Sequence, residues 1–192
     1  MIKKFYNFFL LILVISCDRL YYPPKPHGVN ERAVFNSKTK MWEYKDEQKE
    51  IVWYEDGKIF REAQKKGELY HGKFKQYFRN GKVSQEGIYE EGYRVGTWYY
   101  YYPDGKFYLI INYQKEPVSN FFFLNSTTGN ENGLYKRFYP GGIIEEEGYF
   151  LGGKLHGKRI RYHKNQQLHF VMEYEQGVVK RYTTFHQKST MD

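Results

Sequence analysis

Apolar and polar positions alternate in short runs through the middle of the chain, and each run stops at turn-forming residues. KFKQYF precedes Asn80-Gly81, and TWYYYY precedes Asp104-Gly105, so every second side chain of a run falls on the same side. This period of two predicts β-strands, and the Asn-Gly and Asp-Gly pairs predict two-residue hairpin turns. The pattern therefore indicates an all-β chain built from successive β-hairpins.

The hairpins recur every 24 residues. Gly57, Gly81 and Gly105 follow this spacing, whereas the step from Gly105 to Gly142 is 37, so thirteen residues have been added within it. Five units begin at residues 48, 72, 96, 133 and 157. The predicted turns are Asp56-Gly57, Asn80-Gly81, Asp104-Gly105, Gly141-Gly142 and Asn165-Gln166. Because one hairpin is marginally stable in water, we expect the units to stack into an elongated single-layer antiparallel sheet.

Two columns of the repeat are apolar in every unit. The first column holds Trp53, Tyr77, Tyr101, Phe138 and Tyr162, and the second holds Ile59, Val83, Phe107, Ile144 and Leu168. We expect both columns to form continuous buried stripes, which makes most tyrosines of TWYYYY core residues. Tyr100 is the exception, because its column otherwise holds Gln76, Arg137 and Arg161. It is a candidate residue for contact with a partner.

The units YFRNGKVSQEGIYEEGYRVGTW and FYPGGIIEEEGYFLGGKLHGK resemble MORN repeats of the variant type found in YwqK-like bacterial proteins. The resemblance covers roughly residues 48–180 and includes the Glu-Gly pairs at Glu86-Gly87 and Glu147-Gly148. Ile111 and Met172 depart from it, since they stand at the repeat position that Gly87 and Gly148 occupy. The resemblance implies a curved sheet of hairpins used in membrane-associated scaffolding and protein interaction. Some similar proteins are labelled antitoxins.

The first residues are typical of an export signal. Lys3 and Lys4 precede an apolar run from Phe8 to Ile15, which is too short to span a bilayer, and the run ends at Cys17, the one cysteine of the chain. VISC resembles the lipobox of bacterial lipoproteins, which implies cleavage before Cys17 and lipidation of its thiol. We therefore expect a protein anchored by lipid to a bacterial envelope membrane.

The net charge of +8 indicates an anionic molecule as an alternative partner. Basic residues recur among the aromatic residues of the hairpins and together predict a basic strip: Lys73, Lys75, Arg79, Lys136, Arg137, Lys158, Arg159 and Arg161. Such a strip would attract anionic lipid, cell-wall polymer or an acidic protein. Basic and aromatic residues also suit single-stranded nucleic acid, but export argues against that partner. A solvated edge that resists aggregation explains the charges equally well.

No catalytic or metal-binding pattern stands out. The G-x-x-x-x-G-K matches lack the Ser or Thr that a phosphate loop needs, and the six histidines form no zinc motif. The acidic run Glu145 to Glu147 is expected to be solvated. We therefore expect a non-enzymatic protein without cofactor or metal, which binds an unidentified protein partner. A cytoplasmic antitoxin-like binder is the alternative if the first sixteen residues are retained.

The predicted organisation has five parts. A signal peptide covers residues 1–16, and a lipidated cysteine with a proline-rich extended tether covers 17–30. A β-capping segment at 31–47 precedes the repeat domain at 48–181, which contains an insert at 117–132. A tail follows at 182–192.

Overall fold

A computed structural model describes residues 22–115 and 131–186, and in these ranges the chain forms one antiparallel sheet of fourteen strands and no helix. The strands are β1 Val34–Asn36, β2 Met41–Lys45, β3 Lys49–Tyr54, β4 Ile59–Lys66, β5 Leu69–Tyr77, β6 Val83–Glu90, β7 Tyr93–Tyr101, β8 Phe107–Tyr113, β9 Glu131–Phe138, β10 Ile144–Leu151, β11 Lys154–Leu155, β12 Gly157–Tyr162, β13 Leu168–Glu175 and β14 Val178–Thr184. Each strand pairs with the next along the chain, except that β12 pairs with β10 and the two-residue β11 lies beside β10. The predicted single-layer sheet of hairpins is confirmed.

The predicted two-residue turns are wrong, because each repeat turn is a three-residue loop. The amide of Gly57 donates to the carbonyl of Tyr54 at 2.9 Å, and the amide of Tyr54 donates to the carbonyl of Lys58 at 2.8 Å. The same pair of bonds recurs in the other four units. In four of the five loops only the third residue has positive φ, as in a type I turn closed by one such residue, whereas in the fourth unit both Gly141 and Gly142 have positive φ. Gly57 supplies the positive φ at +86°, and Gln166 supplies it in the last unit at +65°.

Turns of two residues with positive φ at both positions connect the strands at the ends opposite the repeat loops. They are Glu91-Gly92, Gly152-Gly153 and Gln176-Gly177. The sequence pattern at these positions did not lead us to predict them.

The ends of the sheet differ from the predicted segments. Residues 22–30 are not an extended tether, because Val29 is 8% exposed and packs in a cluster with Phe35, Trp42 and Trp53. Lys25 Nζ also donates to the carbonyls of Glu31 and Ala33, which follow this segment. At the other end the predicted tail is too long, since β14 continues through Thr184.

Several predicted features fall wholly or partly outside the described residues, including the first part of the segment 17–30 and the end of the tail 182–192. The signal peptide at 1–16 and the lipidation site Cys17 are among them. So is most of the insert at 117–132, whose last two residues, Glu131 and Asn132, already belong to β9.

The buried core lies on one face of the sheet, which we call the ring face and which carries Phe74, Trp98 and Tyr135. These residues cluster with Ala63, Ile111 and Tyr113. Trp98 is fully buried although the sheet is a single layer. Its indole ring lies over Gly87, where a Cβ atom would come within 2.6 Å of Trp98 Cγ. Glycine therefore lets a large ring lie flat against the strand and fill this face.

The two predicted stripes lie on the opposite face, which we call the ladder face, and most of their residues are not buried. Ile59, Phe107 and Leu168 are 37%, 39% and 38% exposed. Trp53 is the buried member at 4%, because Val29 and Ala33 of the N-terminal segment pack in its cluster. The prediction of a buried double stripe is therefore wrong, and Trp53 is the one stripe residue that is buried.

Candidate interaction face

Cross-strand pairs form an apolar row along the ladder face. The two predicted columns are register partners in all five hairpins: Trp53 with Ile59, Tyr77 with Val83, Tyr101 with Phe107, Phe138 with Ile144, and Tyr162 with Leu168. The Tyr101 and Phe107 rings stack with centroids 5.2 Å apart, and Phe107 lies 6.0 Å from Phe138 in the next unit. The row is thus continuous within each unit and between the third and fourth units.

Tyrosine–glutamate hydrogen bonds join neighbouring units on this face. Tyr77 Oη donates to Glu62 Oε2 at 2.7 Å, Tyr101 Oη to Glu86 Oε1 at 2.7 Å, and Tyr162 Oη to Glu147 Oε1 at 2.9 Å. In the remaining unit the ring is Phe138, and the position that matches the glutamate holds Ile110. Donor and acceptor are therefore replaced together, so neither group is left without a partner at that point.

These bonds set the charge state of the ladder face. Burial, followed by the hydrogen bond to glutamate, raises the hydroxyl pKa of Tyr77 and of Tyr101. Burial raises the pKa of Glu86, but the hydrogen bonds from Tyr101 and Lys75 outweigh it and leave that pKa below its usual value. At neutral pH the tyrosines are therefore neutral donors and Glu86 is an ionised acceptor.

Charged and apolar pairs alternate in the next row of the ladder face. Lys75 pairs with Glu86 at 3.0 Å and Lys136 with Glu147 at 3.4 Å. Between them lie the register partners Tyr99 and Ile110. We call Tyr99, Tyr101, Phe107, Ile110 and Phe138 the central patch, since they form an apolar area bounded on both sides by an ion pair.

Two exposed aliphatic side chains lie beyond the charged pairs on the ladder face. Ile88 lies two residues beyond Glu86 on β6, and Leu134 lies two residues from Lys136 on β9. Their exposed fractions are 51% and 63%. The register partners Thr97 and Asn112 lie on the two strands between them, and their side chains share a hydrogen bond of 2.7 Å.

The predicted basic residues do not form one surface. Lys75 and Lys136 lie on the ladder face, whereas Arg137 and Arg161 lie on the ring face, because consecutive strand residues point to opposite sides. The two arginines are paired with acids, Arg137 with Glu146 at 3.7 Å and Arg161 with Glu145 at 2.7 Å. A strip that includes these arginines is therefore wrong, whereas Lys73 and Lys158 share the ladder face with Lys75 and Lys136, and a strip of lysines stays a prediction.

Tyr100 also lies on the ring face, at the margin of the core. Its hydroxyl accepts a hydrogen bond from Arg94 at 2.9 Å and lies 3.3 Å from the hydroxyl of Tyr113. Burial and the bond to Tyr113 raise its pKa. The structure thus places this candidate residue in an internal network, while its contact with a partner stays a prediction.

A buried carboxylate replaces the solvated acidic run that the sequence predicted. Glu146 is 1% exposed, accepts from Tyr135 at 2.7 Å and pairs with Arg159 at 2.6 Å. Burial raises its pKa, but the bonds from Arg159 and Tyr135 outweigh burial and leave the pKa lowered. These bonds link the fourth and fifth units, which gives the buried pair a structural role.

Residues 22–115 and 131–186 contain no group of three or more His, Cys, Asp or Glu side chains arranged to hold a metal ion. The same ranges contain no helix with the length and apolar character needed to cross a membrane.

The comparison with known proteins identifies the central units. No curated protein matches the chain. Three segments match the MORN repeat variant family, at residues 70–91, 94–115 and 131–151. They correspond to the hairpins β5–β6, β7–β8 and β9–β10, which carry the central patch and both flanking ion pairs. The hairpins that build this face are therefore repeats that match the MORN repeat variant.

Proposed function

We propose that the protein is a non-catalytic binding module, anchored to a bacterial envelope membrane through Cys17, and that its ladder face receives a protein partner. The central patch carries this proposal. Phe107 is exposed within this patch, and Tyr101, Lys75 and Lys136 beside it are held by a hydrogen bond and ion pairs to glutamates. A rigid apolar centre with a charged rim is the arrangement found in protein interfaces.

The first unit supports the same assignment. There the N-terminal segment covers the ladder face, and Trp53 becomes 4% exposed. The equivalent rings of later units are not covered by any described residue. A partner on the ladder face would bury them as residues 26–33 bury Trp53.

The binding role is tested by photo-crosslinking in native membranes. A benzophenone amino acid replaces Phe107 on the ladder face or, as the matched control, Gln85 on the ring face. We expect a discrete crosslinked protein from position 107 and none from position 85. Equal labelling at both positions, or no product from position 107 across several growth conditions, would refute the proposed face.

The anchor is tested separately, with a clickable fatty acid and membrane fractionation. Wild type should carry the label and sediment with membranes, because two or three acyl chains bind a bilayer far more strongly than one. Cys17→Ser should lose label and membrane retention together. An unlabelled wild type in the cytosolic fraction would refute the anchor, while leaving the crosslinking result to decide the binding role.

A further inference from the structure

The charge order across the ladder face is self-complementary. From β5 to β10, one register row reads Lys75, Glu86, Tyr99, Ile110, Lys136 and Glu147. Read in reverse, every lysine is replaced by a glutamate and every glutamate by a lysine, while the two central residues stay apolar. A surface with this order complements a copy of itself turned end for end.

We propose that the partner on the ladder face is a second copy of the chain, packed face to face about a two-fold axis that runs parallel to the strands between β7 and β8. This deepens the proposed function, on which it rests. The rotation places β7 on the partner's β8, β6 on the partner's β9 and β5 on the partner's β10. Glu86 then faces the partner's Lys136, and Lys75 faces the partner's Glu147.

The apolar rows agree with the same axis. Tyr99 faces the partner's Ile110, and Tyr101 faces the partner's Phe107. Beyond the charged pairs, Ile88 faces the partner's Leu134, which joins two of the most exposed aliphatic side chains of the face, at 51% and 63%. Each contact occurs twice, because the interface is isologous.

The charges disfavour a two-fold axis that runs perpendicular to the strands. An axis perpendicular to the strands would place each strand on its own copy, with Lys75 on the partner's Lys75 and Glu86 on the partner's Glu86. Like charges at such contacts oppose association. The parallel axis instead adds an opposite charge to each existing ion pair, which fixes the register of the two sheets.

The size of the face suits a dimer. Six strands about 4.8 Å apart and about eight residues long, at about 3.3 Å per residue, give a footprint of roughly 750 Å². A stable interface buries about 800 Å² on each partner. The N-terminal segment covers the ladder face at β2 and β3, so the interface is confined to the central hairpins.

A cysteine pair tests the geometry directly. The full chain carries Cys17→Ser, which removes its one native cysteine, together with Ile88→Cys and Leu134→Cys. The two positions are three strands apart within one copy, or about 14 Å, so they cannot form a disulfide inside the chain. Facing sheets lie about 10 Å apart, which is too far for a direct disulfide between opposed cysteines. A short bis-methanethiosulfonate reagent, which forms a disulfide with each thiol, should therefore give a covalent dimer from the double variant in detergent solution and none from either single variant.

A charge swap tests the register. Lys75→Glu with Glu86→Lys preserves the ion pair within the chain but places like charges against the partner's Lys136 and Glu147. We expect dimer affinity, measured by analytical ultracentrifugation, to fall by roughly tenfold or more. Adding Lys136→Glu with Glu147→Lys in the same chain should restore the affinity. Thermal melting of both variants shows whether the fold survives.

The outcomes separate this inference from the proposed function. A monomeric wild type with no covalent dimer from the cysteine pair would overturn the dimer, and the photo-probe at position 107 could still capture a different protein. A dimer that is insensitive to the charge swap would overturn this arrangement, since the contact would then lie on another surface. Failure of both crosslinks would refute the binding face itself.

Discussion

Replacing Gly87 by alanine should destabilise the protein by about 3 kcal/mol, at the upper end of the usual cost of overpacking. An alanine Cβ would lie within 2.6 Å of Trp98 Cγ, against an ordinary contact of about 3.5–4.0 Å between carbon atoms. The indole ring has little room to retreat. Its Nε1 donates to the carbonyl of Ile88 at 3.2 Å, and Phe74 and Tyr89 pack against it at centroid distances of 5.5 and 5.0 Å.

Thermal unfolding measures this cost. For a chain of this size each 1 kcal/mol lowers Tm by about 2–4 °C, so Gly87→Ala should lower Tm by about 6–12 °C. Gly148→Ala is a graded comparison. Its Cβ would lie 2.8 Å from Cε1 of Tyr135, and we expect a loss of about 1–2 kcal/mol.

A double-mutant cycle isolates the clash. In the Trp98→Leu background the indole ring is gone, so Gly87→Ala should destabilise the protein by less than about 1 kcal/mol. The alanine can even stabilise the strand there, because glycine weakens strand interiors. If Gly87→Ala leaves Tm unchanged in the wild-type background, or costs the same in both backgrounds, close ring packing on glycine does not hold this face together.

Three further predictions concern the bonds between units. Phe78→Tyr should raise the free energy of unfolding by about 0.5–1.5 kcal/mol, because Tyr54, Tyr102 and Tyr139 at the matching loop position each donate to a strand carbonyl of the next unit; a lower value in urea titration would contradict this. Phe138→Tyr should gain stability only together with Ile110→Glu, which rebuilds a tyrosine–glutamate bond, and additive single effects would contradict this coupling. The pKa of Glu146 in the folded protein is lowered from 4.5, so its contribution to the free energy of unfolding is present above pH 4.5 and is lost as the pH falls through the folded pKa. The free energy of unfolding, measured from pH 7 to pH 3, should therefore fall more steeply for the wild type than for Glu146→Gln. Parallel profiles of the two proteins would refute this prediction.

The hairpin architecture was predictable because its signals are local. Turn residues such as Asp104-Gly105 and the alternation around them specify strand, loop and strand without reference to distant residues. The loop length was not predictable in the same way, because Asp-Gly suits both a two-residue turn and a three-residue loop with one positive φ.

The choice of buried face was not predictable from alternation, since both faces of this sheet carry rings at every second position. Trp98 is buried because Gly87 lies beneath it, and that contact joins two different hairpins. Glu146 was missed for the same reason, because Arg159 comes from the following unit. The tyrosine–glutamate bonds were the contacts that could have been predicted, because glutamates recur at 62, 86 and 147 with the spacing of the repeat.

The assignment of the ladder face as the binding surface is tested most directly by hydroxyl-radical footprinting. Oxidation of Phe107 and Leu134 is compared between native membranes and the purified chain at high dilution, with the buried Trp98 as an internal reference. The account predicts that both ladder-face side chains are protected in membranes and become reactive on dilution, while Trp98 stays protected throughout. Equal oxidation of Phe107 in both preparations would contradict a partner on this face.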